Sequence, residues 1–249
     1  MRAELRRVAG AARRRLRPAP RSAREQVGLR ALEPVSRQFG ADRGRPVDRF
    51  YIERFLAGRS ADVRGRVLEI YEDTYTQWYG AGRVTRSDVL HKGEHNPAAT
   101  LYGDLASGEG LGPELDGAFD CFILTQTLLL VWDVPAALAT ARRLLRPGGV
   151  LLVSVPGISQ VSLSDRAEHG DWWRFTSGGL RRLLEDAFAP GAVEVEAHGN
   201  VLAASAFLYG LAVEDLTEAE LAHRDPAYEL LITARAVAPS AAAIGGTGA

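Results

Sequence analysis

Residues 119–156 are FDCFILTQTLLLVWDVPAALATARRLLRPGGVLLVSVP, and this stretch decides the fold. Its first six residues form a short apolar run, rich in aromatic and aliphatic side chains, that predicts a buried strand. A helical pattern follows over about 134–145, with arginines near its end, where cations suit the helix dipole. Pro147-Gly148-Gly149 ends this helix, because proline cannot continue it and glycine accepts left-handed backbone. A second apolar run, 150–155, completes a strand–helix–strand crossover whose strands should be parallel.

Polar residues follow both strands of this crossover. Thr125, Gln126 and Thr127 come after the first strand, and Pro156 and Gly157 come after the second. Ligands of open parallel sheets bind beyond the carboxyl ends of the strands. We therefore expect a binding site at these two positions.

Further strands are predicted on both sides of the crossover. Those before it cover 65–70, 83–90 and 99–105, and we expect the last two to close with Asp88 and Asp104. After the crossover, Thr176 or Ser177 should cap a helix that ends at Phe188. The remaining predicted elements are a helix over 48–56, a strand over 192–197, a short helix through Leu208 and a closing strand over 228–237.

Size and composition favour one large core. The chain has 249 residues, of which 46% are hydrophobic. No apolar run reaches the roughly 18 residues that span a bilayer, and no signal peptide is apparent, so we expect a cytoplasmic protein without a membrane span. The single cysteine, Cys121, excludes an internal disulfide or a cysteine metal cluster and predicts a buried structural thiol. We expect no metal site.

Charge is distributed unevenly along the chain. Residues 1–50 hold 14 arginines against 5 acidic residues, and because the whole chain has a net charge of −1, the remainder is strongly acidic. We predict an Arg-rich helical arm or cap over 1–47, one domain over 48–238, and a disordered tail over 239–249. The arm either is a solvated segment or contacts the acidic body or an anionic partner.

The pattern resembles the class I S-adenosylmethionine-dependent methyltransferases, especially the group that methylates small molecules and sugars. The resemblance covers about residues 49–237 and implies an α/β, Rossmann-like fold. It implies a seven-stranded, mostly parallel sheet with helices on both faces and a C-terminal antiparallel hairpin, beside the N-terminal arm. Its markers are Val67-Leu68-Glu69-Ile70, Asp88 after strand two, Gly103-Asp104 after strand three, Phe119-Asp120, and, most specific, Leu145-Arg146-Pro147-Gly148-Gly149-Val150-Leu151.

The resemblance also implies S-adenosyl-L-methionine as cofactor and S-adenosyl-L-homocysteine as product. Asp88 would accept hydrogen bonds from the ribose hydroxyls, since a carboxylate has two acceptor oxygens. Asp104 would accept from the adenine amino group, and Glu69 would face the cofactor's ammonium group through water or a backbone amide. The other implied cofactor contacts are Ile70, Tyr71, Val89, Leu105, Thr125 and Gln126.

The turn after strand one departs from the family pattern. The family has a glycine-rich turn there, whereas this chain has Tyr71, Glu72 and Asp73. Without glycine the backbone approaches a ligand less closely and takes positive φ less readily. We expect retained cofactor binding, because Glu69, Asp88 and Asp104 are all present.

The loop between Gly157 and Thr176 is the predicted substrate wall. His169 is the candidate general base, because imidazole exchanges a proton near neutral pH, with Asp171 as its orienter or as an alternative base. His91 is the second choice of base. Both histidines have an ordinary alternative as exposed loop residues, and the tryptophans as packing residues. The candidate substrate residues are Tyr51, Trp172, Trp173 and Arg174.

The sequence thus predicts an S-adenosylmethionine-dependent transferase, with O-methylation of a small-molecule, sugar, natural-product or peptide acceptor. A catalytically silent methyltransferase-like binding protein is one alternative, since the turn glycines are missing. A nucleic-acid methyltransferase is another, suggested by the arm alone and disfavoured by the acidic body. A nicotinamide-dependent oxidoreductase would need Gly-x-Gly-x-x-Gly after strand one, which this chain lacks. A homodimer is left open.

Overall fold

A seven-stranded sheet forms the centre of the chain, whose residues 31–93 and 96–239 are described by a computed structural model. Parallel pairing joins β1 to β2 and β4, β2 to β3, and β4 to β5, in the order β3-β2-β1-β4-β5-β7-β6. The strands are β1 (Gly65–Ile70), β2 (Val84–His91), β3 (Leu101–Tyr102), β4 (Phe119–Thr125), β5 (Leu145–Pro156), β6 (Val193–His198) and β7 (Leu231–Val237).

The last two strands form the C-terminal antiparallel pair. The Leu230 N–H donates to the His198 carbonyl at one end, and the Val237 N–H donates to the Ala192 carbonyl at the other. Each of these hydrogen bonds joins the start of one strand to the end of the other, which is the pattern of antiparallel pairing. The predicted Rossmann-like sheet, with helices against it, is therefore confirmed.

Helices connect and flank the strands. The side chain of Thr176 accepts from the Gly179 N–H at 3.1 Å, so the predicted cap of α5 is confirmed. Asp133 caps α3 in the same way, accepting from the Ala136 N–H at 3.0 Å. The helices are α1 (Val47–Gly58), α2 (Thr74–Gly80), α3 (Val134–Leu144), α4 (Leu163–Glu168), α5 (Ser177–Phe188), α6 (Val201–Leu208) and α7 (Glu218–Ala222).

Strand boundaries differ from the predicted ones at three places. β3 has only two residues, and the helix α4 lies within the loop between Gly157 and Thr176, where no helix was predicted. β5 begins at Leu145, ahead of the Pro-Gly-Gly turn: Leu145 pairs with Phe119 and Val150 with Cys121, so the residues between them bulge out of the ladder. β2 continues past Asp88 to His91, because its ladder with β1 extends to the Ile70–Leu90 pair.

The described chain divides into two compact units. One comprises residues up to Glu53, Ile158–Gln160 and His198–Leu231; the other comprises Arg54–Gly157, Val161–Ala197 and residues from Ile232 onward. The core of the second unit is built from strand residues such as Leu68, Phe122 and Leu151 packed against α3 and α5.

Cys121 is buried in this core as a free cysteine, as predicted, and burial raises the pKa of its thiol.

Residues 1–30 of the predicted arm and nearly all of the predicted tail lie outside the described residues, and the domain boundaries of the arm and tail stay predictions. Among the described helices, none is both long and apolar enough to cross a membrane.

Candidate functional site

The turn after β1 adopts left-handed backbone at Tyr71, with φ of 72°. Its N–H donates to the Leu90 carbonyl at 3.0 Å, and its carbonyl accepts from the Asn96 side chain at 2.6 Å. Such a conformation is costly for a residue with a side chain and persists only where neighbours hold it. The turn therefore takes the positive φ that residues other than glycine adopt less readily. Tyr71 takes the conformation of a glycine while carrying a phenol ring 5.8 Å from the ring of His91.

Glu69 points into the start of α2. Its carboxylate accepts from the backbone N–H groups of Tyr75 at 3.1 Å and Thr76 at 2.8 Å, and from the Thr76 hydroxyl at 2.7 Å. Only 3% of the residue is exposed, and burial raises the pKa of this carboxyl to about 7 although those hydrogen bonds oppose the shift. Glu69 therefore acts as a helix cap from the neighbouring strand, and this contradicts the expectation that it faces a ligand.

Asp88 lies inside the sheet. Its carboxylate accepts from Arg66 Nε at 2.7 Å, Arg86 at 2.8 Å and the Thr100 hydroxyl at 3.0 Å, and none of it is exposed. Burial opposes ionisation, but these three donors lower the pKa of Asp88 below its ordinary value. The predicted ribose role is wrong, because the carboxylate is enclosed and β2 ends at His91.

Two side chains at the ends of β2 and β3 offer hydrogen-bond acceptors. His91 Nδ1 lies 2.9 Å from the Gly93 carbonyl, which can only accept, so the free Nε2 is an acceptor. Asp104 accepts from the Ala106 N–H at 2.7 Å and pairs with Lys92 at 2.7 Å. Burial opposes ionisation of Asp104, but Lys92 and the Ala106 N–H lower its pKa, so the carboxylate is charged at neutral pH.

The end of β4 also carries left-handed backbone. Gln126 has φ of 47°, and its N–H donates to the Ser154 carbonyl of β5 at 2.9 Å. The preceding Thr125 is half-buried at the same edge. The other predicted cofactor contacts are less exposed: Ile70 is half-buried, and Val89 and Leu105 are buried.

The loop after β5 does not form the predicted His–Asp pair. Asp171 is fully enclosed, pairs with Arg174 at 2.5 and 3.0 Å and accepts from the Ser162 N–H at 2.8 Å. Burial opposes ionisation of Asp171, but these donors lower its pKa. Asp171 is therefore unsuited to act as a base. His169 instead lies 3.7 Å from Glu168 and remains 39% exposed. Arg174 is committed to Asp171, which weakens its predicted role in holding an anionic acceptor.

Three tryptophans cluster beyond the ends of β4 and β5. The Trp132 ring centroid lies 5.3 Å from that of Trp172, with planes at 76°, and 5.2 Å from that of Trp173, with planes at 28°. The Trp172 N–H donates to the Leu129 carbonyl at 2.8 Å, and Trp173 Nε1 donates to the Val131 carbonyl at 3.0 Å. Sequence reasoning did not single out Trp132, although its place shortly after the polar end of β4 was a usable signal.

Tyr51 does not line this edge. It lies in α1, is 3% exposed, donates its hydroxyl to the Leu221 carbonyl at 2.9 Å and stacks on His198. Burial raises the pKa of its phenol to about 12. The predicted substrate role is wrong, because Tyr51 is an interior residue of the first unit.

Comparison with known proteins connects this geometry to a family. Residues 76–153 match the family model of a methyltransferase domain. No curated protein matches the sequence at a significant level. The match to this family model supports a class I S-adenosylmethionine-dependent methyltransferase domain. Such a domain is a transferase that uses S-adenosylmethionine.

Solved structures share the fold of this methyltransferase domain. The [4+2]-cyclase SpnF is 18% identical with a TM-score of 0.52, and the match covers 95% of this chain and 92% of that one. Phospholethanolamine N-methyltransferase 2 of Haemonchus contortus, in complex with phosphomonomethylethanolamine and S-adenosylhomocysteine, is 13% identical with a TM-score of 0.50. That match covers 86% of this chain and 56% of the other protein, so the chain spans about half its length.

Polar groups gather at the edge beyond β2 and β3. Asp104 and Tyr71 among them are predicted cofactor contacts, whereas His91 was predicted only as a second choice of base. Asp104 supplies a charged acceptor and His91 a ring nitrogen, Nε2, at the ends of adjacent strands of the sheet. The turn at Tyr71 has the left-handed backbone that glycine usually provides. Within the described residues, no exposed carboxylate lies at the end of β2, because Asp88 is enclosed.

Proposed function

We propose that the chain is an S-adenosylmethionine-dependent methyltransferase that methylates a hydroxyl group of a small-molecule, sugar, natural-product or peptide acceptor. The observation that carries this proposal is the polar edge beyond β2, β3 and β4, where His91, Asp104 and Gln126 follow parallel strands. Ligands of this type of sheet bind at that edge. A homodimer and a cytoplasmic role in natural-product biosynthesis stay predictions.

His91 and Asp104 take the cofactor-binding roles in this proposal. A ribose hydroxyl donates to His91 Nε2 in place of the Asp88 carboxylate, which is enclosed. Asp104 accepts from the adenine amino group through Oδ2, whose partner Lys92 has a side chain that is 70% exposed. Thr125 and Gln126 line the methionine side, next to the Tyr71 turn.

The bound cofactor supplies an electrophilic methyl group, and its transfer asks the protein chiefly for alignment. Positioning of reacting atoms contributes roughly 7 to 11 kcal/mol. A base that accepts the hydroxyl proton adds about 10²- to 10⁴-fold. We assign that base to His169, with the adjacent Glu168, 3.7 Å away, orienting its ring in place of the enclosed Asp171.

Calorimetric titration with S-adenosylhomocysteine tests the cofactor site. His91→Ala should weaken binding about tenfold, the loss of one hydrogen bond of about 1.4 kcal/mol. His169→Ala should leave this affinity unchanged and lower turnover. His223→Ala is the matched control, because His223 lies beyond α7, far along the chain from the proposed contacts. An unchanged affinity in His91→Ala would remove His91 from the site, and a wild type that does not bind would refute the proposal.

A silent binding protein is the second candidate. Two observations favour it: a phenol ring stands at the cofactor turn, and Asp171 is sequestered by Arg174. The cyclase SpnF also has this fold, so the fold by itself does not dictate methyl transfer. Tight binding of S-adenosylhomocysteine without methylation of any acceptor in a hydroxyl-bearing panel would favour this candidate.

A further inference from the structure

We propose that Trp132, Trp172 and Trp173 form a binding platform for an uncharged sugar ring, which carries the methyl-accepting hydroxyl. The inference rests on the proposed function and narrows its acceptor. We refer to these three residues as the tryptophan platform.

The tryptophan platform is exposed and yet held in place. Its side chains are exposed by 66% at Trp132, 52% at Trp172 and 36% at Trp173. The Trp172 backbone N–H donates to the Leu129 carbonyl, and the Trp173 indole N–H donates to the Val131 carbonyl. These two hydrogen bonds tie the loop after β5 to the loop after β4. Large aromatic side chains that stay in contact with water in a rigid arrangement mark a binding surface.

The ring arrangement suits a flat ligand. Trp132 and Trp173 are nearly parallel, at 28°, while Trp172 stands at 76° to Trp132. Trp132 and Trp173 stack on each other, so the pair offers its outer faces to a ligand, and Trp172 stands edge-on to Trp132. The faces do not converge on one point as they do in a cage. A quaternary ammonium group requires such a cage for cation–π binding. A pyranose ring presents flat C–H faces that pack on an indole.

The charges beside the tryptophan platform favour a neutral ligand. Arg174 is an adjacent cation, and its two hydrogen bonds to the enclosed Asp171 carboxylate balance its charge. Within the described residues, the indole N–H groups of Trp132 and Trp172 have no hydrogen-bond acceptor, so they can donate to ligand oxygens. Aromatic faces with N–H donors, beside the paired Arg174 and the exposed Asp133 carboxylate that follows Trp132, match a sugar better than an anion.

The tryptophan platform lies at the edge where methyl transfer would take place. The Phe175 N–H donates to the Pro156 carbonyl at 2.9 Å, which returns the loop to the end of β5. The Trp172 N–H bond to Leu129 holds it beside the segment that follows β4. Both strand ends adjoin the proposed cofactor contacts Thr125 and Gln126.

Tryptophan fluorescence tests the inference, since three of the chain's 4 tryptophans belong to the platform. The probes are methyl glycosides of glucose, galactose, mannose and rhamnose, with glucuronate as an anionic probe and choline as a cationic one. A neutral glycoside should shift the emission. Trp132→Ala should weaken its binding about tenfold, and Trp132→Phe should weaken it less. The matched control is Trp78→Ala, because Trp78 is also exposed, at 48%, but packs with Tyr75 and Tyr79 on α2.

The outcomes separate this inference from the proposed function. S-adenosylhomocysteine binding by calorimetry should be equal in wild type, Trp132→Ala and Trp78→Ala. Cofactor binding without a response to any glycoside would overturn the sugar platform and leave the methyltransferase proposal intact. A glycoside response without cofactor binding would support the platform and refute the methyltransferase proposal. Stronger binding of choline or glucuronate than of every glycoside, or an equal loss in Trp78→Ala, would also overturn the inference.

Discussion

Glu69 is a buried carboxylate whose described hydrogen bonds all run to the first turn of α2. It occupies the position where a helix N-terminus attracts negative charge. Because the acceptor comes from β1, the cap also fixes α2 to the strand edge where Tyr71 turns. One side chain thus positions the segment beside the proposed cofactor site.

The titration of Glu69 predicts a pH dependence of stability. Burial, opposed by the hydrogen bonds from Thr76 and Tyr75, raises its folded-state pKa from 4.5 to about 7. Below about pH 4.5 both states hold the proton. As the pH rises towards 7 the unfolded state loses its proton first, so the free energy of unfolding should fall across this window and level off above it. Urea unfolding across this range measures the fall, and Glu69→Gln should abolish that part of it. The same fall in Glu69→Gln would contradict the assignment.

We predict that removing the Asp88 side chain lowers the stability of the fold without a direct loss of cofactor affinity. Asp88→Ala leaves Arg66 and Arg86 beside an empty buried position, and removing one member of a buried ion pair costs about 3 to 5 kcal/mol. Arg86 is 59% exposed and can turn to water, so we expect the lower end. Chemical denaturation measures the change.

The matched control for Asp88 is Asp116→Ala. Asp116 also pairs with an arginine, Arg143, but is 47% exposed, so its removal should cost about 1 kcal/mol or less. If folded Asp88→Ala loses S-adenosylhomocysteine binding while its unfolding free energy is unchanged, the enclosed carboxylate has a ligand role after all.

At the scale of elements, the junction of α3 with β5 depends on two glycines. Gly148 has φ of 76°, in the left-handed region that favours glycine. A Cβ on Gly149 would lie 2.9 Å from the carbonyl oxygens of Arg146 and Phe119. The bulge therefore lets the crossover turn sharply while β5 pairs with β4 on both sides of it.

Gly149→Ala should destabilise the domain by about 1 to 3 kcal/mol, because backbone atoms must shift to admit the methyl group. Gly178→Ala is the control. A Cβ there meets nothing within 4 Å in the first turn of α5, so the change should be neutral or stabilising by about 0.4 to 1 kcal/mol. Thermal and urea unfolding compare the two variants. Equal effects would show that the close approach at Gly149 does not constrain the crossover.

At the scale of the whole molecule, ligand linkage is the expected signature of a methyltransferase domain. S-adenosylhomocysteine at 100 times its Kd should stabilise the fold by about 2.7 kcal/mol, because it binds only the folded state. Differential scanning calorimetry should show a rise in Tm that increases with ligand concentration. Adenine alone, which lacks the ribose and homocysteine groups, is the control and should raise Tm less at equal concentration. An unchanged Tm with the full ligand would contradict cofactor binding.

The order of elements was predictable because its signals are local. Alternation, helical periodicity and the Pro-Gly-Gly sequence lie within a few residues of the structures they specify, as at α3 and β5. Thr176 is another local signal, since an N-cap bonds only three residues ahead. Cys121 was predictable as buried because apolar residues follow it directly at 122–124 and Phe119 precedes it by two residues, on the same face of the strand.

The sequence by itself thus determined the α/β class, the crossover and the methyltransferase resemblance. Only the tertiary structure decided which carboxylates reach the ligand edge: Asp88 is enclosed by arginines on its own strand and on β1, and Asp171 by Arg174. It also brought Trp132 to Trp172 and placed Tyr51 in the interior. The reason is physical. Strand register and loop-to-loop hydrogen bonds between residues far apart in the chain set where each side chain lies, and no local pattern encodes them.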